Sequence, residues 1–425
     1  MRLIGDTFRL YMSIIINNSS ERLFAELCSK NYLKGFVFQS PKYVINSEHE
    51  AGDVVLWIRN QIVVFEIMWR NIECATSNST KRYLKRIGEK RKQLERDYLA
   101  FSTMPELMKL TNELGEVVEF SKQNFHSQNY SGVILLDIDN STEKINYMTY
   151  RKTLESNFPI SIFTKTNFLL LTSEADTIPD LTYYFNDRFE FIKTVFDEDY
   201  DFFLDINRNN EKDLIAFYKM NEYHFPLEKW KNSKEKNYWN IYQNTFSEKI
   251  RQRDDENRAS YLIDQLIDEL RKNNTIDNST LLHSSELAIF TRRARAGILT
   301  MKIADALEQM QNGRDLRYFA VFNETTQCWL LFYFQYGGDP EMFDQNVSRY
   351  SKLKLFYEMN WNNFKYSVFG YGFRKSILET GHTFDHLFLC IEDSFNYREL
   401  DIEELKEANK LFGNIKQKEI SEFPI

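Results

Sequence analysis

The sequence predicts a mixed α+β protein of several domains, and three observations carry that expectation. Short β-rich apolar runs alternate with segments whose apolar residues recur at helical spacing, in both halves of the chain. The 425 residues are 43% hydrophobic and 15% aromatic, with 35 Phe and 24 Tyr against 14 Gly and 7 Pro, so more than one core can be filled and a disordered or linker-rich chain is excluded. A polar tract, NNTIDNST over residues 273–280, separates the last α+β stretch from a long charged helical one. The expected layout is an α/β/α core over 1–125, a middle α/β unit over 126–217, a helical connector over 218–280 and a C-terminal α+β domain over 281–425.

In chain order, residues 19–34 predict an amphipathic helix capped by Ser19 or Ser20, with Leu23, Phe24, Leu27 and Cys28 on one side. Glu26 falls beside that apolar stripe. Strands are expected at 35–38 and 43–45. A hairpin follows: Asp53 opens the first strand, Arg59 and Asn60 make the turn, and the second strand runs from Ile62 through Glu66 and Met68. Glu66 lies inside an apolar run, where an unpaired charge is costly. Carboxylates on two adjacent strands can share one divalent metal through hard oxygen ligands.

The next helix, over 81–98, is strongly basic: KRYLKRIGEKRKQLER holds eight Lys or Arg against two Glu. Lys81, Lys85, Lys92 and Arg96 fall on one face with Arg82 and Arg86 beside them, and Tyr83, Leu84, Ile87, Leu94 and Tyr98 fall on the opposite one. A basic outer face backed by an apolar inner face suits a phosphate backbone. Gln93 lies at the edge of the basic face.

These residues carry a resemblance. A helix with Glu26 or Glu21, Asp53 on a strand after Gly52, Glu66-Ile67-Met68 on the next strand and a following helix together resemble the core of the PD-(D/E)XK, or restriction-endonuclease-like, nuclease superfamily. The resemblance covers about the first hundred residues. It implies a nuclease hydrolysing DNA, with RNA as the other candidate, that uses Mg2+ or Mn2+ held by Asp53 and Glu66, with Glu26 assisting and Gln93 reaching the site from the helix. It also implies a homodimer or a partner protein, and by analogy a role in defence against phage or plasmids. One departure matters. The family's lysine position holds Met68, and a thioether neither positions a water nor offsets charge. The implied replacements are Lys85 first and Lys81 second. The alternative is a catalytically degenerate nuclease fold that serves as a nucleic-acid-binding or protein-interaction scaffold.

Beyond the helix, residues 131–138 and 158–163 predict buried strands, 169–171 a further strand, and 177–191 a capped helix. Asp137 and Asp139 share a strand face but have no third ligand in sequence reach, so they read as structural. Residues 286–310 predict a helix whose Arg292, Arg293 and Arg295 either touch nucleic acid or pair with acidic helices. Strands are expected at 318–322, 328–334, 366–369 and 387–390. His382 and Asp385 read as a structural pair because no nucleophile motif accompanies them.

Composition narrows the classes. A net charge of −8 makes any nucleic-acid contact local rather than global. Cys28, Cys74, Cys328 and Cys390 lack zinc or redox spacing and read as free thiols of a cytoplasmic protein. The apolar run at 12–16 is too short for a signal sequence, no run is long enough to span a bilayer, and no phosphate-loop motif is present.

Overall fold

A computed structural model describes residue 24 and residues 27–28, 32–39, 41–45, 47–68, 77–104, 109–112, 114–119, 129–136, 156–198, 211–232, 237–272, 278–311, 316–362, 367–375, 386–397 and 401–413. The chain is mixed α+β and divides into two compact units, Met1–Gln252 and Arg253–Ile425. Among the described residues, no helix is long and apolar enough to cross a membrane. Cys28, Cys328 and Cys390 are free thiols.

The first unit is built on a five-stranded sheet of β1 (Val37–Gln39), β4 (Val54–Ile58), β5 (Gln61–Met68), β8 (Tyr130–Leu136) and β9 (Ile160–Thr164), in that spatial order. The chain between β1 and β4 forms a separate hairpin of β2 (Lys42–Ile45) and β3 (Ser47–Glu50). β1, β4 and β5 run antiparallel, and the hairpin turn at Arg59 and Asn60 sets the register that pairs Val54 with Phe65. β5, β8 and β9 are parallel. A parallel step needs a crossover, and between β5 and β8 it contains helix α1 (Ser77–Thr103) and the small β6–β7 hairpin (Lys109–Thr111 and Val117–Glu119).

Side chains alternate across each strand. Ile62, Val64 and Met68 of β5 join Ile87, Leu94 and Phe101 of α1 in one apolar cluster. Phe65 points to the other face, where it meets Phe24 and Phe168. That face carries α2 (Lys165–Glu174) and α3 (Ile178–Glu198), and Arg188 of α3 pairs with Glu211 at the start of α4 (Glu211–Met220).

Three expectations for the first unit change. The boundary at 125/126 falls inside one sheet, because β8 and β9 complete the sheet that the hairpin begins. Leu169–Leu171 is helical: the Thr164 hydroxyl accepts a hydrogen bond from Asn167 N–H and starts α2 where the apolar run alone reads as strand. Part of the expected connector belongs to a core, since Trp230, Tyr238 and Tyr242 pack on Phe217 and Phe191. The division between units falls instead within helix α5 (Ser247–Lys272).

The second unit holds a four-stranded sheet of β10 (Leu316–Asn323), β11 (Cys328–Tyr336), β12 (Ser367–Lys375) and β13 (His386–Asp393). Only β11 and β12 are parallel, and α8 (Pro340–Asn362), numbered after α6 (Asn278–Ala288) and α7 (Met301–Gln311), crosses between them. The helix expected over 286–310 is interrupted: a π-helical stretch, Arg295–Thr300, precedes α7. Its arginines take the pairing alternative, Arg292 and Arg295 with Asp264 and Arg293 with Glu256. The residues around Asp137 and His382 lie outside the described ones.

Candidate functional site

Gly52 begins the construction. Its φ is +77°, and an added Cβ would stand 2.5 Å from Val64 Cγ1 and 3.0 Å from the Phe65 carbonyl oxygen. Only glycine takes that conformation at so close an approach without strain. The next residue, Asp53, donates its N–H to the Phe65 carbonyl at 2.8 Å. Its carboxylate Oδ2 accepts the Ile67 N–H at 2.5 Å. Asp53, immediately before β4, is thereby locked beside the residues that flank Glu66.

Glu66 shares the α1-facing side of β5 with Val64 and Met68 and is buried. Helix α1 supplies what the strand lacks. Lys90 Nζ donates to Glu66 Oε2 at 2.5 Å and lies 3.5 Å from Asp53 Oδ2. One ammonium bridges two carboxylates.

The electrostatics follow from burial and crowding. Burial and the neighbouring charge of Asp53 push the Glu66 carboxyl up to about 8 against the pull of Lys90. Burial raises Asp53 as well, opposed by Lys90 and by the Ile67 N–H. Burial works against the charge on Lys90, but Glu66 and Asp53 outweigh it and the ammonium is held above its ordinary value. The crowded pair therefore holds on to a proton that two exposed carboxylates would give up, and a cation of higher charge than an ammonium would balance both carboxylates at once.

Behind this group lies Asp97, fully buried on α1. It accepts from the Tyr43 hydroxyl at 3.1 Å and from Arg96 Nη2 at 3.2 Å through one oxygen, while its other oxygen is buried without a hydrogen-bond partner among the described residues. Burial pushes its carboxyl up to about 6.

The residues singled out from sequence fall into distinct places. Asp53 and Glu66 converge. Lys85 does not join them: its side chain is 79% exposed and its ammonium stands 3.9 Å from Glu89. The correction is one of helix phase. Ile87, Leu94, Asp97 and Phe101 are buried on the sheet-facing side of α1, and Lys90, three residues after Ile87 and four before Leu94, shares their stripe. Lys85 lies off it. Gln93 is half-buried one turn beyond Lys90, and Arg86 is half-buried one turn before it. Lys92 is exposed and, among the described residues, makes no ion pair. Arg96 is engaged, by Asp97 and by the Glu50 carbonyl. Met68 packs in the apolar cluster with Ile87 and Leu94, so this position serves the core. Glu26 and the side chains of Lys81 and Arg82 lie outside the described residues.

Asp53 and Glu66 fit a hard divalent cation. Both are carboxylates, and both reach the same ammonium. Among the described residues no group of three or more His, Cys, Asp or Glu is placed to hold a metal. Two carboxylates suffice for magnesium, which binds through one or two of them and keeps several waters or substrate oxygens. Comparison with protein-family models, curated proteins and solved structures found no match to this chain.

Proposed function

We propose that the first unit is a metal-dependent nuclease of the PD-(D/E)XK kind, hydrolysing phosphodiester bonds of DNA with Mg2+ or Mn2+ at Asp53 and Glu66. The observation that carries this reading is the convergence of Asp53, Glu66 and Lys90, two carboxylates and one lysine from three successive elements. Lys90 supplies from the helix the ammonium that Met68 cannot supply from the strand. The order of three antiparallel strands, a helix and a parallel strand supports the same reading.

Each residue has a task. Asp53 and Glu66 would hold the metal, and the backbone N–H of Ile67 fixes the Asp53 carboxylate in place. A bound divalent ion supplies an activated water and a Lewis acid at the phosphate. Lys90 stabilises the negative charge that grows on the phosphate oxygens, a preorganised electrostatic contribution that commonly accounts for about 10²–10³ in rate. The exposed side of α1, with Lys92, faces the nucleic-acid backbone.

The test is cleavage of a supercoiled plasmid in Mg2+ or Mn2+ by the full chain and by Asp53→Asn, Glu66→Gln and Lys90→Gln. The expected result is nicking or linearisation by the natural sequence and a loss of about 100-fold or more in each variant. Salt-sensitive DNA binding with no cleavage of DNA or RNA would replace the nuclease reading with a binding scaffold.

A further inference from the structure

We infer that Lys90 is the resident counter-ion of the carboxylate pair, and that a divalent metal loads the site only by displacing its ammonium, which is then free to meet the phosphate. The inference rests on the metal-site reading above and adds an autoinhibitory lysine to it.

The geometry gives Lys90 two incompatible tasks in one place. Its ammonium sits 2.5 Å from Glu66 Oε2 and 3.5 Å from Asp53 Oδ2. Those are the oxygens a metal would need, and a dication and an ammonium at such distances from one oxygen repel strongly. The carboxylates have no freedom to move aside. Both are buried, and Asp53 is pinned by the Ile67 N–H. Lys90 has that freedom. It is the most exposed member of the group, at 24% against 9% for Asp53 and 4% for Glu66, so the path to solvent runs past it. Its four-carbon stem and three rotatable donors allow a swing without disturbing the helix.

The consequence is an ordered event. Without metal, Lys90 is tied to both carboxylates and is unavailable to substrate. With metal, a dication takes the place of the ammonium at the pair, and the ammonium is released toward the open side, where a phosphate would approach. Cation loading and arming of the lysine are then one step.

The natural protein provides a direct test. The full chain is treated with an amine-reactive acylating reagent, with and without MnCl2, and labelling at Lys90 is followed by peptide mass spectrometry against Lys92 as the exposed reference. Labelling of Lys90 should rise about fivefold or more with Mn2+ while Lys92 is unchanged, because occupancy shifts the lysine from its tied to its free state. Calorimetry adds a second arm. Lys90→Gln should bind Mn2+ about tenfold tighter than the natural protein, and Lys90→Arg no tighter, because only the glutamine variant lacks a competing charge. The rise of stability with Mn2+ concentration c, read by urea unfolding and fitted to RT ln(1 + c/Kd), gives the affinity of each protein independently of its starting stability. Mn2+ binding with unchanged Lys90 labelling, or equal or weaker binding by Lys90→Gln, would overturn the displacement and leave the metal site standing. No Mn2+ binding by any of the three proteins would overturn both.

Discussion

Two buried charge clusters in the first unit use the same physics to opposite ends. Arg188 and Glu211 form a forked pair, with Nε to Oε1 at 2.9 Å and Nη2 to Oε2 at 2.8 Å, and both side chains are almost fully buried. The Tyr184 hydroxyl also donates to Glu211. One cation meets one anion, and both carboxylate oxygens are engaged. Asp53, Glu66 and Lys90 set two carboxyl groups against one cation, and Lys90 reaches solvent. The second unit shows the reverse imbalance, two arginines on Asp264. There the extra charge is absorbed by backbone, because Arg295 also donates to the carbonyls of Phe290 and Ala288. Burial of charge alone therefore does not mark a functional site. What separates the two clusters of the first unit is stoichiometry and access: two carboxylates share one ammonium that reaches solvent, against one closed ion pair.

The largest expected effect separates the two clusters by stability. Arg188→Met leaves Glu211 buried without its fork and should destabilise the first unit by about 3–5 kcal/mol. Glu66→Gln should act the other way. The Glu66 carboxyl has an ordinary value of 4.5 and is raised to about 8 in the fold. Below 4.5 it is protonated whether the chain is folded or not, so the substitution gains nothing there. As pH rises toward 8 the unfolded chain gives up its proton before the folded one, and the burial penalty grows. Glu66→Gln should therefore raise stability at pH about 8 and leave it nearly unchanged at pH about 4, read by urea unfolding at both values. Comparable losses at the two sites would erase the distinction between them.

Asp97 tests an intermediate case. Its carboxyl is shifted from 3.8 to about 6, chiefly by burial, against the pull of Arg96 and Tyr43. The penalty appears as pH rises through the ordinary value and is complete above the folded one. Asp97→Asn should gain about 1–3 kcal/mol at pH about 7.5 and almost nothing at pH about 3, at about 1.4 kcal/mol per pK unit less what Arg96 loses. A loss at pH about 7.5 would place Asp97 with Glu211, as an anion whose partners repay its burial.

What the sequence could reveal here divides along the lines of locality. The hairpin was legible, because apolar alternation, a polar two-residue turn and a charge inside an apolar run are all local signals. So was the inner face of α1, through Ile87 and Leu94. Lys90 was hidden by its surroundings: in a run of eight cations, composition marks all of them equally, and only the phase relative to Ile87 and Leu94 separates the inward one. Met68 was misleading for a related reason, since a motif position and a core position coincide there. The pairing of β5 with β8 could not be read at all. It joins Glu66 to Ile134 across a crossover, and nothing local in the later strand says which neighbour it takes.

The smallest effects belong to the outer face of α1, and they distinguish two cations that the sequence places together. Lys92 is exposed and has no ion-pair partner among the described residues. Arg96 is 44% exposed and its guanidinium is tied to Asp97 and to the Glu50 carbonyl. If Lys92 meets a phosphate, Lys92→Ala removes one released counter-ion, and the slope of log affinity against log salt for duplex DNA should fall by about 0.9. Stability should stay within about 0.5 kcal/mol, because nothing in the fold depends on that ammonium. Arg96→Ala should do the opposite: a smaller change in the salt slope, and a measurable loss of stability from an arginine that links α1 to the β2–β3 hairpin. Binding titrations over a salt series, paired with urea unfolding, read both quantities on each variant. An unchanged slope in Lys92→Ala would show that this face of the helix is solvated charge and that DNA approaches the carboxylates from elsewhere.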